Sequence, residues 1–225
     1  MSGGRGSGLP WRRIGAGLVV AGVATGVVAH ETTRVEASAN GVATVFIGDS
    51  ITEADTAGAT DLPGPRSWTR YVVTDDRTPW RYVANAAVAG ETLGEMADRF
   101  ERDVLARGPE AVVIMGGTND VRLGLAVEDS LDALRSMVDA ARGAGAEVWI
   151  VSPPPLDLPR WGDVGPLIEA ERALAEQLDV PFVEVVPEVG DGDDRWASPG
   201  LTTDGAHPTE RGAEAIAAAV LAQVG

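Results

Sequence analysis

Ser50 stands at the end of Val42-Ala43-Thr44-Val45-Phe46-Ile47-Gly48-Asp49-Ser50-Ile51-Thr52, where a run rich in apolar and β-branched residues breaks at Gly48-Asp49. Such a run reads as a short buried strand, and a serine just beyond it lies at the carboxyl edge of a sheet, where open α/β folds keep their sites. Two uses suit a hydroxyl in that position. It can cap a following helix, or it can attack a carbonyl if a base takes its proton and N–H donors receive the developing charge. A helical turn starting at Ser50 would itself point free backbone N–H groups at such an anion.

The base would come from Asp204-Gly205-Ala206-His207-Pro208. A carboxylate three residues before an imidazole can meet it across one turn, accept from Nδ1–H and leave Nε2 open to a proton. Pro208 disfavours helix at His207, so the motif reads as a turn leading into the last helix. The plainer use is a surface histidine at a helix start. Two further loops have donors of the right kind. Gly116-Gly117-Thr118-Asn119-Asp120 follows an apolar strand, and Asn119 offers an uncharged N–H₂ that could hold an oxyanion or simply shape the turn. Asp120 reads as a cap of the segment after it. In Asn85-Ala86-Ala87-Val88-Ala89-Gly90-Glu91-Thr92 no side chain shields the Gly90 backbone N–H, while Glu91 reads as a solvated acid.

The inventory closes off other chemistry. The chain has 225 residues, no cysteine and a formal charge of −16, and all 18 of its cations are arginine. Disulfides, thiolate metal sites, cysteine nucleophiles and a serine–lysine pair are therefore excluded. His30 and His207 are the two histidines, so a zinc site of several imidazoles is excluded as well. Asp191-Gly192-Asp193-Asp194 lacks the wider ligand pattern of a calcium loop and reads as a solvated acidic turn. So acidic a protein is not expected to bind nucleic acid or to dock electrostatically on anionic lipid.

These residues have to be positioned by the rest of the chain. Residues 1–13 carry Arg5, Arg12 and Arg13 without an acid, residues 14–29 are uncharged and largely apolar, and Ala37-Ser38-Ala39 offers a cleavage site, with Val27-Val28-Ala29 as a second. This is the pattern of an export signal, or of an N-terminal membrane anchor if it is not cut, and it places residues 40–225 outside the cytoplasm.

From residue 40 strands and helices alternate. Strands are expected at 42–47, 82–84, 111–115, 148–151 and 182–186; helices at 94–107, 127–142, 166–178 and 208–223, the last with Pro208 in its first turn; and a short amphipathic piece at 68–73. Five buried strands joined by helices predict an α/β fold. It should be a three-layer αβα sandwich around a flavodoxin-like five-stranded parallel sheet. The loops bearing Ser50, Gly90, Asn119 and His207 would then share one edge.

Taken together, Gly48-Asp49-Ser50, Gly90, Gly117-Thr118-Asn119-Asp120 and Asp204-x-x-His207 resemble the four blocks of the SGNH hydrolase family, also called the GDSL esterase/lipase family, in the family's order over roughly residues 42 to 224. Ala87 and Ala89 stand where that family often has glycine and serine, and the serine motif is not the G-x-S-x-G of the larger α/β-hydrolases. The resemblance implies a serine esterase working through an acyl-enzyme. Ser50 is the expected nucleophile, His207 the base, Asp204 its orienting partner, and Ser50, Gly90 and Asn119 the oxyanion hole. No metal or organic cofactor is required.

The expected substrates are small-molecule or glycan esters, lipase- or lysophospholipase-like or carbohydrate esters, with short acyl or acetyl groups, because neither 58–65 nor 153–166 is long enough to form a large lid. Both stretches are expected to border the pocket, with Trp161 and Trp196 either its walls or anchors of their loops. Two alternatives use the same chain: a cell-envelope glycan O-acyltransferase or deacetylase, and a non-catalytic envelope-binding module.

Overall fold

The computed structural model describes Met1 and residues 36–192 and 195–225. The leader at 14–29 with its signal-or-anchor alternative, His30, and Asp193-Asp194 of the acidic turn lie outside the described residues. Among the described residues no helix is long and apolar enough to cross a membrane.

In chain order the elements are β1 (Val42–Gly48), α1 (Ser50–Glu53), α2 (Trp68–Val73), β2 (Trp80–Asn85), α3 (Leu93–Asp103), β3 (Ala111–Met115), α4 (Thr118–Leu123), α5 (Val127–Gly143), β4 (Glu147–Val151), α6 (Gly165–Leu178), β5 (Phe182–Val183), α7 (Val186–Val189) and α8 (Glu210–Val224). Short 3-10 turns follow α3 and precede α8. The strands form one parallel sheet in the order β2-β1-β3-β4-β5, the flavodoxin-like order expected from the sequence.

Side-chain alternation along each strand explains why both faces are covered. Val45, Ile47, Val112 and Ile114 point to one face and pack with Leu93, Met96, Leu134 and Met137 of α3 and α5. Phe46, Val113 and Met115 point to the other and pack with Trp68 of α2 and Ile216 and Val220 of α8. Phe46 meets Trp68 and Trp80 edge-on, with ring centroids 5.8 and 5.7 Å apart, an arrangement that contributes beyond area burial alone. The chain joins this body before β1: Ala37 packs on the same layer and the Ser38 N–H donates to the Val73 carbonyl at 2.7 Å.

Three expectations need correction. The fifth strand ends at Val183 rather than at 186, and Val186–Val189 is a short helix. Beyond Val183 the Glu184 and Val185 N–H groups are taken by the side chains of Gln223 and Ser152, and Pro187 has no N–H for a ladder. Pro208 lies outside the last helix; Thr209 is its N-cap, accepting from the Gly212 N–H at 3.1 Å. The expected helix over 94–107 is α3 followed by a 3-10 turn at 105–107, closed by Gly108 at φ +63°.

Candidate active site

At the end of β1 the chain turns so tightly that a Cβ on Gly48 would lie 2.5 Å from Thr52 Oγ1 and 2.6 Å from the Met115 carbonyl on the neighbouring strand. Asp49, not Ser50, caps the turn that follows: its carboxylate accepts from the Ile51 N–H at 2.9 Å, and its carbonyl accepts from Thr52 and Glu53. Ser50 is thereby released from capping, and its hydroxyl bonds to His207 Nε2 at 2.9 Å. Burial pushes the Asp49 carboxyl up to about 6. The Ile51 N–H and the nearby His207 oppose that rise, and the charge of Asp120 adds to it.

The imidazole is held from behind. Asp204 Oδ2 meets His207 Nδ1 at 2.8 Å, and Oδ1 accepts from the backbone N–H groups of Ala206 and His207 at 3.0 and 2.8 Å. Partial burial raises this carboxyl, but the His207 backbone N–H, the His207 ring and the Ala206 N–H together outweigh it and hold it at about 2. An ionised Asp204 can only accept, so Nδ1 carries the proton and Nε2 is left to accept from Ser50.

Both residues sit on the irregular stretch between α7 and α8. That stretch is pinned by Thr202 and Thr203, which donate to the His207 carbonyl, and by Gly205, whose carbonyl accepts from the Asp157 N–H and the Trp196 indole. Gly205 has φ +95°, and a Cβ there would meet the Asp157 carbonyl at 2.7 Å.

Asn119 enters on α4, whose N-cap Gly117 adopts φ +100°. Its Nδ2 donates to the Glu91 carbonyl at 3.0 Å and lies 3.5 Å from Asp49 Oδ2, while its Oδ1 accepts from Arg122 Nε at 3.0 Å. Gly90, at φ +86°, lies in the loop after β2, and the neighbouring Ala89 N–H donates to the Glu53 carboxylate at 2.9 Å.

Two further expectations fail here. Glu91 is not a solvated acid: it forms a bidentate pair with Arg99, whose side chain is 9% exposed against 16% for Glu91. Asp120 does not cap the segment after it. Its carboxylate accepts from the Leu93 N–H at the start of α3 (3.1 Å) and from Ser130 Oγ (2.7 Å), so it joins the Gly90 and Asn119 loops.

Ser50, Gly90, Asn119, Arg122, Trp161 and His207 line one pocket of about 320 Å³. Of the two expected roles, Trp161 takes that of a wall, and Trp196 that of a loop anchor: it is buried, holds Gly205 and borders a different cleft. Gly58 and Ala59 of the 58–65 stretch line a separate cleft beyond the Gly90 loop, so that stretch does not border the serine.

Several supporting residues escaped the sequence reading: Asp49, Glu53, Arg122 and Glu171. Arg122, three residues after Asn119 on a helix, could have been found from that spacing. Glu171 carried no signal. It is fully buried behind Gly117, its carboxyl is pushed well up by burial and then by Asp120, and its Oε2, like Thr118 Oγ1, has no partner among the described residues.

Residues 46–215 match the model of the GDSL-like Lipase/Acylhydrolase family. The chain belongs to that family. Among solved structures it is similar to a catalytic mutant of an acetylxylan esterase from Geobacillus stearothermophilus (22% identity, 84% of this chain and 97% of that one, TM-score 0.71). It is also similar to a GDSL-like lipase from Bacteroides thetaiotaomicron (25% identity, 80% and 86%, TM-score 0.62). An uncharacterized lipoprotein of Bacillus subtilis, YqeF, is 33% identical over 79 residues. That match spans 35% of this chain and about a third (32%) of the relative's length.

Proposed function

We propose that this GDSL-family protein is a serine esterase that cleaves short-chain or acetyl esters of small alcohols or carbohydrates through an acyl-enzyme on Ser50. The reading rests on one observation, the hydrogen-bonded row Ser50 Oγ–His207 Nε2–His207 Nδ1–Asp204 at 2.9 and 2.8 Å. The Ser50 hydroxyl attacks the ester carbonyl while His207 takes its proton, and Asp204 stabilises the resulting imidazolium. The negative oxygen is received by the Ser50 N–H, the Gly90 N–H and Asn119 Nδ2. The Ser50 N–H suits the task because the Ile51, Thr52 and Glu53 N–H groups beside it are committed to Asp49. His207 then gives its proton to the departing alcohol. Water, activated in turn by His207, frees the acid and restores the serine.

A pocket near 320 Å³ lies at the small end of ligand sites, which favours acetyl and other short acyl groups. The acetylxylan esterase among the structural neighbours makes a carbohydrate ester a reasonable first substrate class. The test is hydrolysis of p-nitrophenyl acetate, butyrate and octanoate by wild type and Ser50→Ala. The expected result is a preference for the short chains and a loss of at least about 1,000-fold in the variant. A folded Ser50→Ala protein with full activity would overturn the assignment. Adding a sugar acceptor to the same assay distinguishes hydrolysis from acyl transfer.

The expected address is extracytoplasmic, supported by the leader pattern of residues 1–39 and by a relative named as a lipoprotein. N-terminal sequencing of the exported protein should begin near residue 40 where the leader is cut, and membrane fractions should hold the protein where it is not; an intact Met1 on soluble cytoplasmic protein would contradict both.

A further inference from the structure

We propose that Arg122 is a positioning residue that acts through the Asn119 carboxamide, and that Trp161 holds it there. This rests on the reading of Asn119 as an oxyanion donor. Asn119 and Arg122 lie one turn apart on α4, and Arg122 Nε donates to Asn119 Oδ1 at 3.0 Å. The opposite end of the carboxamide faces acceptors, the Glu91 carbonyl at 3.0 Å and Asp49 Oδ2 at 3.5 Å. Turned over, the group would set its oxygen against those acceptors and its N–H₂ against a guanidinium. One orientation alone satisfies both ends, and of its two Nδ2 hydrogens the one on the longer, 3.5 Å contact to Asp49 is the one an oxyanion would draw away.

Arg122 does more than choose the orientation. A guanidinium is charged at every working pH, so its bond to Oδ1 is charge-assisted. Electron withdrawal at Oδ1 strengthens the N–H groups on the same amide, as in any polarised chain of hydrogen bonds. Among the described residues Arg122 forms no ion pair, although its charge reaches the Glu95 carboxylate and helps to lower it. Its other contact is the face of Trp161, with Cζ 5.6 Å from the ring centroid. The indole face supports the guanidinium while its Nε–H reaches Asn119.

A double-mutant cycle on p-nitrophenyl acetate tests the proposal, using Arg122→Met, Arg122→Lys, Trp161→Leu, Asn119→Ala and the Asn119→Ala/Arg122→Met pair, each checked for a native circular-dichroism spectrum at the assay temperature. Arg122→Met should lower kcat about tenfold with KM within twofold, part of the roughly 100- to 1,000-fold carried by one oxyanion donor. Arg122→Lys should recover part of that loss, since an ammonium keeps the charge without the planar fork. Trp161→Leu should lower kcat by a smaller factor. In the Asn119→Ala background Arg122→Met should cost nothing further.

An equal loss in both backgrounds, a loss confined to KM, or no loss at all would overturn the proposal. Should Arg122→Met fail to fold, the lysine and Trp161 variants carry the same test in the same two backgrounds. Failure of the underlying reading looks different: Asn119→Ala would then leave kcat untouched.

Discussion

The two halves of the proposed site are built in different ways. The nucleophile and oxyanion half stands on strand ends and is closed in: Asp49 and Asn119 are buried, and Asp120, Glu53 and Glu91 tie its three loops together. The proton-transfer half is carried on an irregular stretch between two helices, and the side chains of Asp204 and His207 are 50% and 38% exposed. The difference follows from what each half must do. Donors aimed at a developing charge work only if they are already in place, which demands rigid surroundings. A base needs one good hydrogen bond on each side and tolerates solvent, so a loop held by threonine hydroxyls and a few carbonyls is sufficient.

If this contrast is correct, the exposed half should lose activity without losing stability. His207→Ala is expected to reduce kcat/KM by about 10⁴-fold or more, and Asp204→Ala by about 100- to 10⁴-fold, with Tm moved by no more than about 2 °C in either. Thermal melts beside the kinetics check both statements.

The buried half should lose both. Asn119→Ala is expected to lower kcat about 100- to 1,000-fold. Because Arg122 and the Glu91 carbonyl then lose their partner, stability should also fall by about 1–3 kcal/mol, read as a Tm lower by several degrees. An Asn119→Ala protein with unchanged Tm would erase the distinction between the halves.

Backbone strain sharpens it further. Gly117→Ala puts a Cβ at φ +100° and 2.5 Å from Leu167 Cδ2, so it should cost about 1–3 kcal/mol and disturb Asn119 directly after it. Denaturant melts and kcat would both register the change.

The last effect, spread over about two pH units, is in pH dependence. Asp49 is raised from 3.8 to about 6, so between about pH 4 and 6 the folded protein keeps a proton that the unfolded chain has released. Stability therefore falls as pH rises through that window, by at most about 3 kcal/mol. Asp49→Asn keeps an acceptor for the Ile51 N–H and cannot ionise. Its Tm should stay flatter than that of wild type between pH 4 and 7, and a parallel decline in the two proteins would contradict the role of that buried carboxyl.

How much of this was present in the residues alone depends on the range of the interaction. Periodicity located β1 and β3, and α5 and α6 to within a residue, because alternating and helical patterns report which face each side chain buries. The sheet order followed from placing the first strand near the middle of a flavodoxin-like sheet, and the layering from right-handed crossovers. The Asp204–His207 contact was legible because it spans a single turn. Its partner Ser50 lies 157 residues away, and there the sequence could say only that the types were suitable.

What the chain could not reveal by itself are the charges buried by the fold. That Glu91 pairs with Arg99, that Asp120 reaches back to α3, that Glu171 is enclosed behind Gly117 and that β5 stops after two residues all depend on which distant groups take the available hydrogen bonds. An acid reads the same in a sequence whether solvent or a closed core surrounds it, and only packing decides between them.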